Sequence, residues 1–342
     1  MTRLLVRAPN WLGDAVMAIP AMAAIRAASA DAHLTVAAPA SVAALFQENT
    51  PVRQDAVLTL PEKSRDVSTA LAAGSFQTSI LFPNSFRSAW QMKRAGIPER
   101  WGYGAASRGW LLTRAIARPS GKGPLHQADY YRELVRALEI DCEDAAPSLA
   151  PSESSLAAAD NLLRRHRWPA GTRFVAVMPG AAYGEAKQWP ASRMAEVVAR
   201  LVRECGVRCL VLGAAGDRSA ARAIESSLRE RAPQEAPFVL DLTGQTSLGV
   251  LVALLSRAAT CVSNDSGGMH VAAALGRPVV AVFGPTDERT TRPIGNHAVI
   301  TESVFCRPCM LRDCPIDHRC MKRIDAGRVF DAAASRLAAS GA

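Results

Sequence analysis

Four turns in this chain hold residue types able to bind a phosphorylated ligand or to move a proton. The stretch Ser263-Asn264-Asp265-Ser266-Gly267-Gly268 follows an apolar run, Thr260 to Val262, and precedes a short helical pattern from Met269 to Leu275. A helix start presents unpaired N–H groups and roughly half a positive charge, and Ser266, Gly267 and Gly268 are small enough for an anion to approach the backbone. His270, one turn further on, can reach a phosphate or brace the turn. Adjacent glycines between strand and helix are also ordinary turn chemistry, so this stretch alone does not fix a ligand. A second turn, Pro179 to Pro190, sets Lys187 among small residues before another helix, which offers N–H donors and one ammonium suited to a diphosphate. Near the N-terminus, Asn10, Trp11 and Asp14 occupy the turn after Leu4-Leu5-Val6. Asp14 reads either as a general base or as an acid that favours a helix dipole. Asn84 and Arg87 lie in the fourth turn, Pro83 to Ser88.

The apolar pattern supplies the elements that must carry these turns. Leu4–Val6, Leu34–Ala37, Val57–Leu60 and Thr78–Phe82 read as short buried strands, with helical patterns between them. That alternation predicts parallel βαβ units in a doubly wound sheet, whose ligands bind beyond the carboxyl ends of the strands. An acidic, proline-containing stretch from Ile140 to Ala150 reads as a linker. A second series follows, with strands at Phe174–Met178, Cys209–Leu212, Phe238–Leu240, Thr260–Val262 and Val279–Phe283. The expected fold is therefore α/β, with two doubly wound Rossmann-like domains facing across a cleft, the GT-B architecture. The expected boundaries are 1–148 and 149–324, with a last helix in 325–342 that returns to the first domain.

A formal net charge of +9 favours an acidic partner. Between Arg87 and Lys122 eight positive residues (Arg87, Lys93, Arg94, Arg100, Arg108, Arg114, Arg118, Lys122) stand against Glu99 alone, interleaved with Trp90, Trp101, Tyr103 and Trp110. Such a block suits an anionic acceptor or membrane headgroups; no nucleic-acid motif accompanies it, so nucleic acid is not an expected partner. The N-terminus lacks the apolar core of a signal peptide, and no stretch is long enough to span a membrane, which points to the cytoplasm and to reduced cysteines. Cys306-x2-Cys309-x4-Cys314-x5-Cys320, with His318, has a spacing compatible with zinc, but Pro308 and Pro315 stiffen the loop, so reduced thiols packing a loop and no metal are the expectation. Neither the Lys187 turn nor Gly213-Ala214-Ala215-Gly216-Asp217 matches a nucleotide-hydrolysing or dinucleotide-binding fingerprint. His126, at the start of a helix that ends near Leu138, is a secondary candidate.

The segments RAPNWLGDAVMAIPA, PGAAYGEAKQWP, SNDSGGMHVAAALGRP and VFGPTDERTTRP, in this order, resemble glycosyltransferase family 9, a likeness running from Leu4 to about Met321. The resemblance implies an inverting, metal-independent transfer of heptose from ADP-heptose to the first inner-core heptose of lipopolysaccharide, with no cofactor. It makes the first domain the acceptor side and the second the donor side. It aligns the family's base with Asp14, its diphosphate lysine with Lys187, and its donor turn with Asp265, Ser266, Gly267 and His270. Asp217 and Thr246 are nearby candidates for ribose or adenine, and Asn10, Trp11, Asn84 and Arg87 for the acceptor. Ala182 departs from relatives that carry a hydroxyl there. The chemistry agrees: an inverting displacement needs a carboxylate on the acceptor side, and departing ADP needs the positive charge of Lys187 and a helix start. Peripheral contact with the cytoplasmic face of the inner membrane would follow from the basic block. The competing expectations are another family 9 enzyme with a different acceptor, and an epimerase or non-transferring nucleotide-sugar binder on the same architecture.

Overall fold

The computed structural model describes residues 2–121 and 123–339, so Lys122 of the basic block lies outside the described residues. The chain divides into two compact units, Met1–Leu149 and Ala150–Ala342. In the first, β1 (Arg3–Arg7), α1 (Leu12–Ala28), β2 (His33–Pro39), α2 (Ala40–Ala43), β3 (Ala56–Leu60) and α3 (Ser64–Ala73) are followed by β4 (Thr78–Leu81), α4 (Phe86–Arg94), β5 (Glu99–Tyr103), β6 (Arg114–Ile116) and α5 (Gln127–Ala137). The second unit opens with α6 (Glu153–Arg165), β7 (Phe174–Met178), α7 (Ala191–Cys205), β8 (Arg208–Val211), α8 (Arg218–Arg231), β9 (Val239–Asp241) and α9 (Leu248–Leu255). It continues through β10 (Thr260–Asn264), α10 (Gly267–Ala274), β11 (Val279–Val282), α11 (Glu288–Thr291), β12 (His297–Ile300), α12 (Arg319–Lys322) and α13 (Ala326–Ala339).

Each unit is built on a six-stranded sheet, ordered β3-β2-β1-β4-β5-β6 in the first and β12-β11-β10-β7-β8-β9 in the second. Every recorded pairing is parallel. Central strands covered by helices on both faces must be apolar throughout, which is why Leu4-Leu5-Val6 and Phe174 to Met178 are buried without alternation. Helix α7 places Met194, Val197, Val198, Leu201 and Val202 on one buried face and stops at Gly206, whose φ of 64° is the left-handed value glycine adopts readily.

Three strands escape the hydrophobic pattern. β5 lies inside the basic block with the sequence ERWGY, β6 has three residues, and β12 is only half-buried. Strands at or near a sheet edge are short and tolerate charge, so they leave little periodic signal. Helix α13 packs within the second unit, where Val329, Phe330, Ala333 and Leu337 join the core with α7 and Trp189. Its apolar stripe is satisfied there against α7 and β10 to β12.

The basic block is also partly structural. Arg108 is fully buried: its Nε donates to the Tyr103 carbonyl at 2.9 Å, and one terminal nitrogen donates to the carbonyls of Pro83 and Ser85 and to Ser88 Oγ. Arg100 likewise donates to the carbonyls of Ile97, Pro98 and Leu111. Arg108 thus fixes the turn between β4 and α4, where Asn84 resides just before Arg87 on the helix. Arg108→Ala should lower stability by about 2–4 kcal/mol, because several buried acceptors lose a charged donor; urea unfolding checks this, and an unchanged midpoint would show that the turn holds itself.

Candidate active site

In an open parallel sheet, neighbouring strands whose helices leave in opposite directions open a crevice at their carboxyl ends. The strand order places that switch point between β1 and β4 in the first unit and between β7 and β10 in the second. All four polar turns singled out in the sequence follow one of these four strands.

At the first switch point Asp14 stands in the opening turn of α1, half-buried, after the exposed Trp11. Tyr131, on α5, donates its hydroxyl to Asp14 Oδ1 at 3.0 Å. Burial pushes the Tyr131 phenol well above its usual value, and the charge of Asp14 adds to the rise. Tyr131 packs edge-on against Phe82, and the next residue back, Tyr130, accepts from Asn84 Nδ2 at 2.8 Å through its hydroxyl. Asn84 Oδ1 is buried without a hydrogen-bond partner among the described residues. Helix α5 therefore connects the two turns of this switch point, and the sequence pattern gave no reason to choose its tyrosines. The Asn10 side chain is occupied by Arg7, a buried guanidinium whose pKa falls to about 10 through desolvation. Arg87 is exposed on α4. His126 is the N-cap of α5, its Nδ1 accepting from the Ala128 N–H, so its role is structural.

At the second switch point Lys187 and Asp265 form an ion pair of 2.6 Å, both side chains largely shielded from solvent. Thr286, from the turn after β11, donates to the same carboxylate oxygen at 2.6 Å, and the Lys187 ammonium lies 4.8 Å from the Tyr183 ring centre. Asp265 was expected to contact the donor; in the structure its carboxylate is engaged with Lys187 and Thr286. An anionic group would repel a diphosphate, so its evident physical effect is to orient the lysine. Asn264 next to it is fully buried, accepting from the Trp189 N–H and donating to the Pro179 carbonyl, which ties the β7 turn to the β10 turn.

Helix α10 starts at Gly267 behind Ser266, whose Oγ shares a 3.2 Å hydrogen bond with Ser263 Oγ. Gly268 has a packing reason that sequence could not show: a Cβ there would lie 2.4 Å from the Met178 sulfur, so the glycine lets the helix start close against β7. His270 is buried within that helix. Asp217 and Thr246 lie one and two strands further along the edge, after β8 and β9, and neither has a recorded contact with the Lys187–Asp265 pair. Gly180 and Gly213 leave the room that the Asp217 carboxylate occupies. That carboxylate accepts from the Ala214 N–H at 2.8 Å, and burial raises its pKa while this hydrogen bond opposes the rise.

The loop that carries Lys187 leans on the cysteine-bearing segment. Ala186 N–H donates to the Arg312 carbonyl at 3.0 Å, the Tyr183 hydroxyl donates to the Met310 carbonyl at 3.0 Å, and His318 Nε2 lies 2.6 Å from the Ala186 carbonyl. All eight cysteines are free, and among the described residues no group of three or more His, Cys, Asp or Glu side chains is arranged to hold a metal ion. His318 is engaged with the Ala186 backbone.

Two doubly wound parallel sheets, one with a carboxylate and the other with a lysine at its switch point, have the GT-B architecture. The chain belongs to glycosyltransferase family 9 (heptosyltransferase), whose family model matches residues 64–319. It is 30% identical over 310 residues to lipopolysaccharide heptosyltransferase 2 of Salmonella typhimurium, covering 86% of each chain, and 28% identical over 317 residues to that of Escherichia coli K12, again covering 86% of each. Its fold is similar to the solved structure of E. coli ADP-heptose lps heptosyltransferase II, with a TM-score of 0.83 at 26% identity over the whole of both chains. Membership of this family makes the chain a glycosyltransferase and sets aside the epimerase.

The Tyr131–Asp14 contact gives a pH prediction. A phenol raised above its unfolded value of about 10 contributes stability that is full below that pH and is lost as pH climbs towards the folded value. Phenolate absorbance should show Tyr131 titrating above the ordinary phenol range, and Asp14→Asn should lower its midpoint while burial keeps it above the ordinary value. An unmoved midpoint would mean that the two side chains do not interact in solution.

Proposed function

We propose that the chain transfers L-glycero-D-manno-heptose from ADP-heptose to the first inner-core heptose of lipopolysaccharide, with inversion and without a metal ion. The observation that carries this reading is Lys187, held at the second unit's switch point by Asp265 in a chain of this family. The relatives named heptosyltransferase 2 favour this acceptor over those of heptosyltransferases I and III.

The step needs a base, an acceptor site and a place for the leaving charge. Asp14 takes the proton of the acceptor hydroxyl, which attacks the anomeric carbon from the side opposite ADP; Tyr131 fixes the carboxylate's orientation through Oδ1. The acceptor saccharide lies against Asn10, Trp11, Asn84 and Arg87. As the C–O bond to ADP breaks, negative charge grows on the diphosphate and meets Lys187 together with the N–H groups of Ser266, Gly267 and Gly268 at the start of α10. His270 supports that turn. Asp265 keeps the Lys187 ammonium in position before the donor arrives. The nucleoside extends along the strand ends towards Asp217 and Thr246. The enzyme works from the cytoplasmic side, where no cofactor is required.

Mixing the protein with ADP-heptose and a truncated core acceptor carrying one heptose should release ADP only when the acceptor is present, with the same rate after chelation of divalent ions. ADP release that ignores the acceptor would remove the transferase reading for this pair. Asp14→Asn should fold, bind ADP normally and lose roughly a hundred- to ten-thousand-fold in turnover; near-normal turnover would remove Asp14 as base. Asp265→Asn should weaken donor binding by freeing Lys187 from its position, read as a raised KM for ADP-heptose.

A further inference from the structure

The outward face of α4 is composed of aromatic and cationic residues alone. Phe86, Arg87, Trp90, Lys93 and Arg94 are exposed, whereas Ser88, Ala89, Gln91 and Met92 are buried. Phe86 and Trp90, one helical turn apart, stack with ring centres 6.4 Å apart and planes 14° apart. Trp110, from the segment after β5, joins them 6.1 Å from Phe86, and the Lys93 ammonium sits 4.6 Å from its ring centre. The three rings are 42%, 42% and 62% exposed. Arg87, Lys93 and Arg94 form no ion pair among the described residues. The neighbouring Glu99 is engaged by the Trp101 indole N–H and the Thr113 hydroxyl.

A contiguous exposed aromatic cluster marks an interaction surface. Phe86 and Trp90 stack and Trp110 tilts against Phe86, so the rings present a joined shelf instead of separated faces for successive bases. Indole rings settle at the headgroup level of a bilayer, and each nearby cation gains roughly 1 kcal/mol, about a fivefold gain in binding, from an anionic surface. We propose that this face of α4, with Trp110, docks the first unit on an anionic lipid bilayer. Because β1 and β4 are adjacent, the turn that begins α4 lies beside the Asp14 turn. A lipid-anchored acceptor held on the membrane would therefore reach the base from the docked side, a placement that rests on the proposed transfer; the docking itself does not.

Sedimentation with phosphatidylcholine vesicles containing about 30% phosphatidylglycerol, and with phosphatidylcholine alone, tests the surface. The wild type should bind the anionic vesicles and be released by salt, because exposed charges are screened. Lys93→Gln should weaken binding roughly fivefold and Trp90→Ala with Trp110→Ala more than tenfold. A lowered thermal midpoint in the tryptophan variant would leave Lys93→Gln, whose side chain is exposed, to decide. With a deacylated soluble acceptor, Lys93→Gln should turn over like the wild type. Absence of vesicle binding, equal binding by all variants, or equal loss on the soluble acceptor would each overturn the proposal. A wild type that binds vesicles but releases no ADP would refute the transfer while leaving the docking in place.

Discussion

The ion pair between Lys187 and Asp265 sets the terms for the second unit. Withdrawing both charges from water is costly, and the cost is met only when geometry is good and the remaining hydrogen-bonding positions are filled. Thr286 fills one of them, so the pair requires the turns after β7, β10 and β11 to be held together. Asn264 makes that possible by joining the Trp189 N–H to the Pro179 carbonyl beneath the pair. The close start of α10 against Met178, which glycine at 268 permits without moving the methionine, belongs to the same construction.

The two units solve one problem twice. Read from the other edge, the second sheet runs β9-β8-β7-β10-β11-β12, the same relative order as β3-β2-β1-β4-β5-β6. In both, the turn after the first strand carries a charged residue. That charge is negative in the first unit, at Asp14, and positive in the second, at Lys187. The proposed proton acceptor and the proposed electrostatic partner of the leaving diphosphate thus come from equivalent positions of equivalent sheets.

Much of this was legible in the sequence because central parallel strands are apolar and turn residues punctuate them. The four turns, the βα alternation and the linker followed from that alone. What the sequence concealed lies in contacts between distant segments. Tyr131 reaches Asp14 from 117 residues away, and nothing in the helix pattern separates it from other buried aromatics. Asp265 was singled out through the resemblance as part of the donor turn, and its ion pair with Lys187, 78 positions away in the chain, is a contact the sequence does not show. Arg108 contributed to a count of cations, yet it is a bracket for backbone carbonyls. The α13 stripe had an apolar face but no indication of which core it completes.

The loop from Tyr183 to Lys187 takes three of its hydrogen bonds from residues 310, 312 and 318, more than 120 positions later. A chain emerging from the ribosome completes its N-terminal regions first. The strands β7 to β11 can assemble before residue 310 has been made, but the segment bearing Lys187 has to wait for it. The lysine is consequently among the last parts of its unit to gain its neighbours, and a nascent chain carries a formed sheet before it carries a finished Lys187 loop.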